Sequence, residues 1–206
     1  MQRKISNWWL VRHAPVPLKT LYGQQDVEAE YTDHTAFRWL ANELPLEARW
    51  ITSDLSRCVK TAGRILEAAN NEHVKLQTCR DLREQNFGDW QGSTYAEIEQ
   101  TDPETYMSFW ENPAKNTPPG GESFEDLVAR VCPVPLAYQQ EKQCADTVIV
   151  AHAGTIRALV ANALDLSVNA ALRLEIAPLS LTKLTLYEAD GGEHWQVSWT
   201  NRISNG

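Results

Sequence analysis

Three short apolar runs in this chain each lead to a residue able to bind or attack an anion. That repetition constrains the fold more than any compositional total. The first run is Trp8-Trp9-Leu10-Val11, which enters Arg12-His13 and is broken at Pro15. A short apolar run closed by a breaker reads as a buried strand. The second is Trp50-Ile51-Thr52, followed by Ser53-Asp54-Leu55-Ser56-Arg57. The third, Thr147-Val148-Ile149-Val150-Ala151, is the clearest strand of the chain and ends at His152.

Helical spacing fills the intervals. Ala36, Trp39, Leu40 and Leu44 share a face, so Thr35 to Leu44 reads as a helix stopped by Pro45. Apolar residues at 55, 58, 59, 62, 65, 66 and 69 predict a helix to about Ala69, with Ser53 or Asp54 as its N-cap. Val74 to Thr78 is a further strand, Ala153-Gly154 a turn, and Thr155 to Leu164 a helix. Ser180 to Tyr187 and His194 to Trp199, joined by Asp190-Gly191-Gly192, read as an antiparallel hairpin at the sheet edge, with Trp195, Val197 and Trp199 alternating. Such alternation implies an α/β fold: a mostly parallel central sheet flanked by helices in a three-layer sandwich. We read residues 1–206 as a single domain.

Parallel strands put their carboxyl ends on one side, where open α/β sheets place their sites. His13, Arg57 and His152 therefore converge, with Arg12 beside the first. Taken alone, Arg12-His13 reads more readily as a strand cap beside a satisfied histidine. The same coincidence at three strand ends reverses that. Arg57 in a first helical turn opposes the helix dipole. It makes sense there if it shares an anion with the free N–H groups.

The remaining segments are loops, a cap and one more helix. Val16 to Asp33, with Tyr22-Gly23-Gln24-Gln25-Asp26-Val27, reads as a surface loop, or as a flap over the Arg12–His13 edge. The loop from Asp81 to Gly92 offers Glu84 as a general acid or base beside Phe87 and Trp90, whose apolar bulk favours the uncharged acid. Residues 94–111 read as two short helices split at Asp102-Pro103, and 112–121 as a loop. Residues 90–121 thus form a small helical cap. Ser123 and Asp126 resemble a capping box for a helix that Pro133 and Pro135 interrupt, with Tyr138 to Gln143 continuing it.

The exclusions are useful. A net charge of −8 argues against a duplex nucleic-acid partner and requires any anion site to be built from local cations. Four cysteines without a C-x-x-C pair give neither a zinc ribbon nor a redox motif. The polar N-terminus has no signal-peptide character, and no run approaches the length of a membrane span. We expect a cytoplasmic protein with no membrane partner. His34, His73 and His194 read as surface residues, leaving no third ligand for a metal beside His13 and His152. No G-x-x-x-x-G-K-[ST], G-x-G-x-x-G or G-x-S-x-G motif occurs.

Two arginines, two histidines and a carboxylate suit phosphoryl transfer. A neutral His13 can attack phosphorus, and flanking cations keep it neutral. Arg12 and Arg57 can fork onto phosphoryl oxygens. A protonated His152 would add a third positive donor. Glu84 would protonate the leaving alkoxide and then activate water.

These blocks resemble the histidine phosphatase, or phosphoglycerate-mutase-like, superfamily. Arg12-His13-Ala14 is similar to its R-H-G motif, and Ser53 through Ala62 to its S-x-L-x-R-x-x-x-T-A block. Leu82 through Gly92 resembles its L-x-E block with altered glycine spacing, Gly120-Gly121-Glu122-Ser123 its G-G-E-S, and Val150 through Arg157 its V-x-H-x-G-x-I-R. The resemblance implies a phosphohistidine at His13, phosphate binding by Arg12, Arg57 and His152 with Ala153 adjoining, Glu84 as proton donor, and no metal or other cofactor. It implies a small phosphomonoester substrate. Residues 22–27 and 119–123 look most like α-ribazole phosphatases, which act in cobalamin assembly. Ala14 departs from the usual glycine, and Pro15-Val16-Pro17-Leu18 from the usual Glu-Thr and downstream Asn. Gln24 or Gln25 is the candidate to supply the missing phosphate contact. A phosphoglycerate mutase and a catalytically silent phosphate-binding module are the alternatives. The oligomeric state is not legible.

Overall fold

The computed structural model describes residues 4–139, 145–189 and 192–204. Its strands are β1 (Lys4–Arg12), β2 (Arg49–Ser53), β3 (Leu76–Cys79), β4 (Asp146–Ala151), β5 (Leu181–Ala189) and β6 (Gly192–Arg202). They form one sheet in the order β3-β2-β4-β1-β5-β6. The first four are mutually parallel, and β5 and β6 add an antiparallel hairpin at the edge. Its turn residues Asp190 and Gly191 lie outside the described residues.

Side chains alternate across a strand, and here alternation divides the core in two. Trp8 and Leu10 of β1, with Ile149 and Ala151 of β4, face one layer, while Val11, Val148 and Val150 face the other. The first layer holds α5 (Phe124–Val131), α7 (Ala153–Ala163) and α8 (Val168–Ala171). The second holds α1 (His34–Glu43) and α2 (Ser56–Ala68). The cap contains α3 (Tyr95–Thr101) and α4 (Pro103–Glu111), split at Asp102 as expected, around a third cluster of Trp90, Ile98 and Phe109.

Several local expectations change. Neither Ser53 nor Asp54 caps α2. Leu55 holds that position without a side-chain bond, and Asp26 reaches across from the loop to accept from the Ser56 backbone N–H at 2.8 Å. Ala153 and Gly154 are the first residues of α7 rather than a turn. The Ser123–Asp126 capping box is present. After α5 ends, a separate α6 (Val134–Gln139) carries Pro135 in its first turn, where a missing N–H costs nothing. Residues 140–143 of the expected continuation lie outside the described residues. In β6 Trp195, Val197 and Trp199 alternate with exposed residues as expected, but the register with β5 shifts between Lys183 and Leu184, so Trp195 and Val197 face one layer and Trp199 the other, against Trp9.

No helix among the described residues is long and apolar enough to cross a membrane. Cys58, Cys79 and Cys132 are free thiols. Cys144 lies outside the described residues.

Candidate active site

β1 and β4 pair in parallel with Arg12 opposite Ala151. The next residues are His13 and His152, whose rings meet edge to face at 5.1 Å between centroids. The His13 backbone N–H extends the ladder by donating to Ala151 O at 2.9 Å. Two strand ends thus fix two imidazoles side by side at the sheet's carboxyl edge. Both are almost wholly buried, with 1% and 0% of their surfaces exposed.

Hydrogen bonds define the tautomers. His13 Nδ1 lies 2.6 Å from Ala14 O. A carbonyl only accepts, so the ring proton sits on Nδ1 and Nε2 keeps its lone pair. Burial, with the Arg57 and then the Arg12 charges, pulls His13 down to about 3. It is therefore a neutral base, as nucleophilic attack requires. Arg57 Nη2 lies 3.3 Å from His152 Nδ1, and a guanidinium only donates. His152 therefore carries its proton on Nε2 and donates it to Ser53 Oγ at 2.9 Å. Burial first, then the repulsion that a second proton on His13 would bring and the charges of Arg57 and Arg12, hold His152 well below its ordinary range. His152 is thus a neutral donor held between Arg57 and Ser53, not the third cation that a protonated ring would supply.

Arg57 is completely buried in the first turn of α2. It donates to Gly23 O at 2.6 Å and Gln25 O at 2.7 Å. Tyr22 lies under the Arg57 guanidinium, 5.0 Å away, and edge-on to His13 at 6.4 Å. The 22–27 segment is therefore a flap tied to the site rather than a plain surface loop. Arg12 is pinned by Ile176 O at 2.5 Å. The Nε atoms of Arg12 and Arg57 are buried without a hydrogen-bond partner. An anion at this edge would meet donors that the protein leaves unused.

Ala14 costs no strain, because it is not among the residues with positive φ. Its N–H donates to Thr61 Oγ1 at 2.9 Å, and that hydroxyl donates to Arg57 O at 2.6 Å, tying β1 to α2.

Phe87 and Trp90, expected beside Glu84, pack in the cap cluster, and Glu84 takes its hydrogen bonds from backbone groups. Its carboxylate accepts from the backbone N–H of Gln85 at 2.9 Å and of Gly154 at 3.2 Å. It sits at the N-terminus of α7, which has no side-chain cap of its own. Arg130 and Glu122 hold the Glu84 loop and were missed as site residues from sequence. Arg130 donates to the carbonyls of Asp81, Arg83 and Glu84 and forks onto both Glu122 oxygens. Glu122 precedes the Ser123 cap of α5 and Arg130 lies in its last turn, so no helical spacing pairs them in the sequence. Gln24 uses its amide on this same loop, donating to Glu84 O at 3.1 Å and Glu122 Oε1 at 3.4 Å. Gln25 contributes its backbone carbonyl to Arg57. Ala153, at the mouth of α7, is 9% exposed.

Gly88, at φ +53°, lets the Glu84 loop touch the 118–122 loop backbone to backbone; a Cβ there would lie 2.0 Å from Pro119 O. His34, His73 and His194 are exposed, as expected. Among the described residues no three His, Cys, Asp or Glu side chains cluster as they would around a metal ion.

An open α/β sheet with an arginine-lined histidine pair at its carboxyl edge defines a protein built to hold an oxyanion against imidazole. The chain belongs to the histidine phosphatase superfamily, branch 1, whose family model matches residues 8–201. Glucosyl-3-phosphoglycerate phosphatase of Mycobacterium tuberculosis is 32% identical over 198 residues, covering 90% of this chain and 86% of that protein. The native structure of a mycobacterial glucosyl-3-phosphoglycerate phosphatase superposes with a TM-score of 0.80 at 27% identity, covering 96% of this chain and 99% of that one. A Mycobacterium tuberculosis bifunctional protein is 34% identical over 68% of this chain, but this chain spans only 37% of that longer relative. An α-ribazole phosphatase structure from Shigella flexneri, at 21% identity over 95% of this chain and 96% of that one with a TM-score of 0.78, shares the fold.

Proposed function

We propose that the protein is a metal-independent phosphatase that hydrolyses a small phosphomonoester through a phosphohistidine at His13. The observation that carries this is the His13 tautomer: Nδ1–H is committed to Ala14 O, and a neutral Nε2 remains beside two arginines. In this reading Arg12 and Arg57 bind the phosphoryl oxygens, and their fixed charges stabilise the negative charge spread over them in the transition state. His13 Nε2 attacks phosphorus as the P–O bond to the alcohol breaks. Glu84, in its protonated form, gives its proton to the departing alkoxide. As carboxylate it then takes a proton from water, which attacks the phosphohistidine and releases inorganic phosphate. Neutral His152 donates a hydrogen bond within the site and adds no charge.

The relatives favour a phosphatase without fixing its substrate. Glucosyl-3-phosphoglycerate and α-ribazole phosphate both deserve assay, the first because that relative is closer in sequence. The test is turnover of p-nitrophenyl phosphate in EDTA. Hydrolysis that disappears in His13→Ala supports the reading; no hydrolysis above that control between pH 5 and 8 overturns it. Interconversion of 2- and 3-phosphoglycerate without phosphate release would instead identify a mutase.

A further inference from the structure

Beside Glu84 lies a cavity of about 220 Å³ that the phosphoryl chemistry does not use. Half of its lining is aromatic, including Phe87, Trp90, Tyr95 and Trp110, with Leu172 and Arg157 also in the wall. It adjoins the site through sequence neighbours. Leu21 of the wall precedes Tyr22, which faces His13, and Gln85 of the wall follows Glu84. An apolar cavity of about 150 Å³ holds benzene, so this one has room for a single ring with short substituents.

Arg157 is the exceptional member. It follows Gly154 by three residues on α7, so it shares the helix face whose N–H holds Glu84. Its Nε is fixed on Leu174 O at 2.7 Å, and none of the ion pairs among the described residues involves it. Its two terminal nitrogens have no hydrogen-bond partner among the described residues. Burial, opposed by the Glu84 charge and aided by that of Arg12, makes its guanidinium easier to deprotonate than usual. The cap contributes only Lys115 as a cation, so the counter-charge for a second acidic group comes from the core instead.

We propose that this cavity receives the alcohol portion of the substrate, and that Arg157 selects a phosphomonoester whose alcohol joins one ring-sized body to a carboxylate. This rests on the phosphatase reading above. Stacking against the aromatic wall would hold the ring, and the guanidinium fork would take the carboxylate.

The test compares kcat/KM for phenyl phosphate, 3-carboxyphenyl phosphate and glycerol 2-phosphate in wild type, Arg157→Met, Arg157→Lys and Trp110→Ala. The expected ratio of carboxyphenyl to phenyl ester falls about tenfold in Arg157→Met, the size of a lost charge-assisted hydrogen bond. Arg157→Lys retains part of it. Trp110, 46% exposed on the rim, can be truncated without opening the core. Trp110→Ala should lower both aryl esters roughly fivefold relative to glycerol 2-phosphate. If Arg157→Met is unfolded by circular dichroism, Arg157→Lys and the loss of the wild-type ratio at high salt carry the test. Equal carboxyphenyl-to-phenyl ratios in wild type and the Arg157 variants overturn the inference while leaving the phosphatase intact. No turnover of any ester by wild type overturns the phosphatase reading, and this inference with it.

Discussion

Gly154→Ala should separate activity from stability. Gly154 is the second residue of α7, and its N–H donates to Glu84 Oε2 at 3.2 Å. A Cβ built there would lie 2.2 Å from Glu84 Oε1 and 3.2 Å from its Cδ. Ordinary contact begins near 3.4 Å, so the carboxylate must retreat by about 1.2 Å. The retreat is cheap for the fold, because the displaced atom is the far end of a flexible side chain. Alanine is also worth about 1 kcal/mol over glycine in a helix. That offsets most of a lost hydrogen bond worth about 1–2 kcal/mol. The melting temperature should move by no more than about 4 °C. For catalysis the same shift is severe, since misplacing a reacting group by about 1 Å costs on the order of a hundredfold. We expect kcat to fall about a hundredfold with p-nitrophenyl phosphate, while inorganic phosphate inhibits as in wild type because Arg12 and Arg57 are untouched. Differential scanning calorimetry and steady-state kinetics read the two effects. Wild-type kcat in a folded Gly154→Ala protein, or loss of phosphate affinity in step with kcat, would refute the assignment of Glu84.

Stability should also depend on pH through His13, which is held at about 3 against an ordinary 6.5. The unfolded chain takes up this proton as pH falls below 6.5 and the folded chain does not. The contribution is therefore complete above 6.5 and is lost toward 3, at up to about 1.4 kcal/mol per pH unit. Denaturant midpoints from pH 7 to 5 should fall more steeply in wild type than in His13→Asn; parallel curves would contradict the burial argument. For the same reason kcat/KM should not decline from pH 7 to 5 through loss of the nucleophile. Arg130→Met leaves Glu122 without its counter-charge, in a pair whose side chains are 21% and 19% exposed. Because the pair is not fully buried, we expect a loss of about 2–3 kcal/mol, seen as a melting point lower by roughly 4–12 °C. In this variant kcat should drop more than KM rises, and an unchanged melting point would remove Arg130 from the support of the Glu84 loop.

The sheet was legible because its strands are short apolar runs with breakers, and the residues after them follow from strand direction alone. That is why Arg12, His13, Arg57 and His152 could be gathered before any coordinates. What was hidden depends on contacts between distant segments. Glu84 finds its partner Gly154 70 positions away. Asp26 caps a helix 30 positions on, a role that local sequence offered to Ser53 and Asp54. Ser53 is instead taken by His152 and Asp54 by Arg83 at 2.6 Å. The charge state of His152 was not legible because charge counts in sequence omit desolvation, its largest influence here. Arg157 was visible only as the end of a motif, because the cavity it lines is assembled from Leu21, the 85–87 loop, the cap, α7 and Leu172.

The most direct measurement is capture of the intermediate. The enzyme is mixed with a phosphorus-labelled aryl phosphate in EDTA, quenched in alkali, where phosphohistidine survives, and digested for peptide mapping. The account predicts alkali-stable label on the peptide carrying His13, formed at the rate of aryl alcohol release and absent in His13→Ala. Turnover with label on His152, turnover that EDTA abolishes, or undiminished hydrolysis by His13→Ala would contradict it.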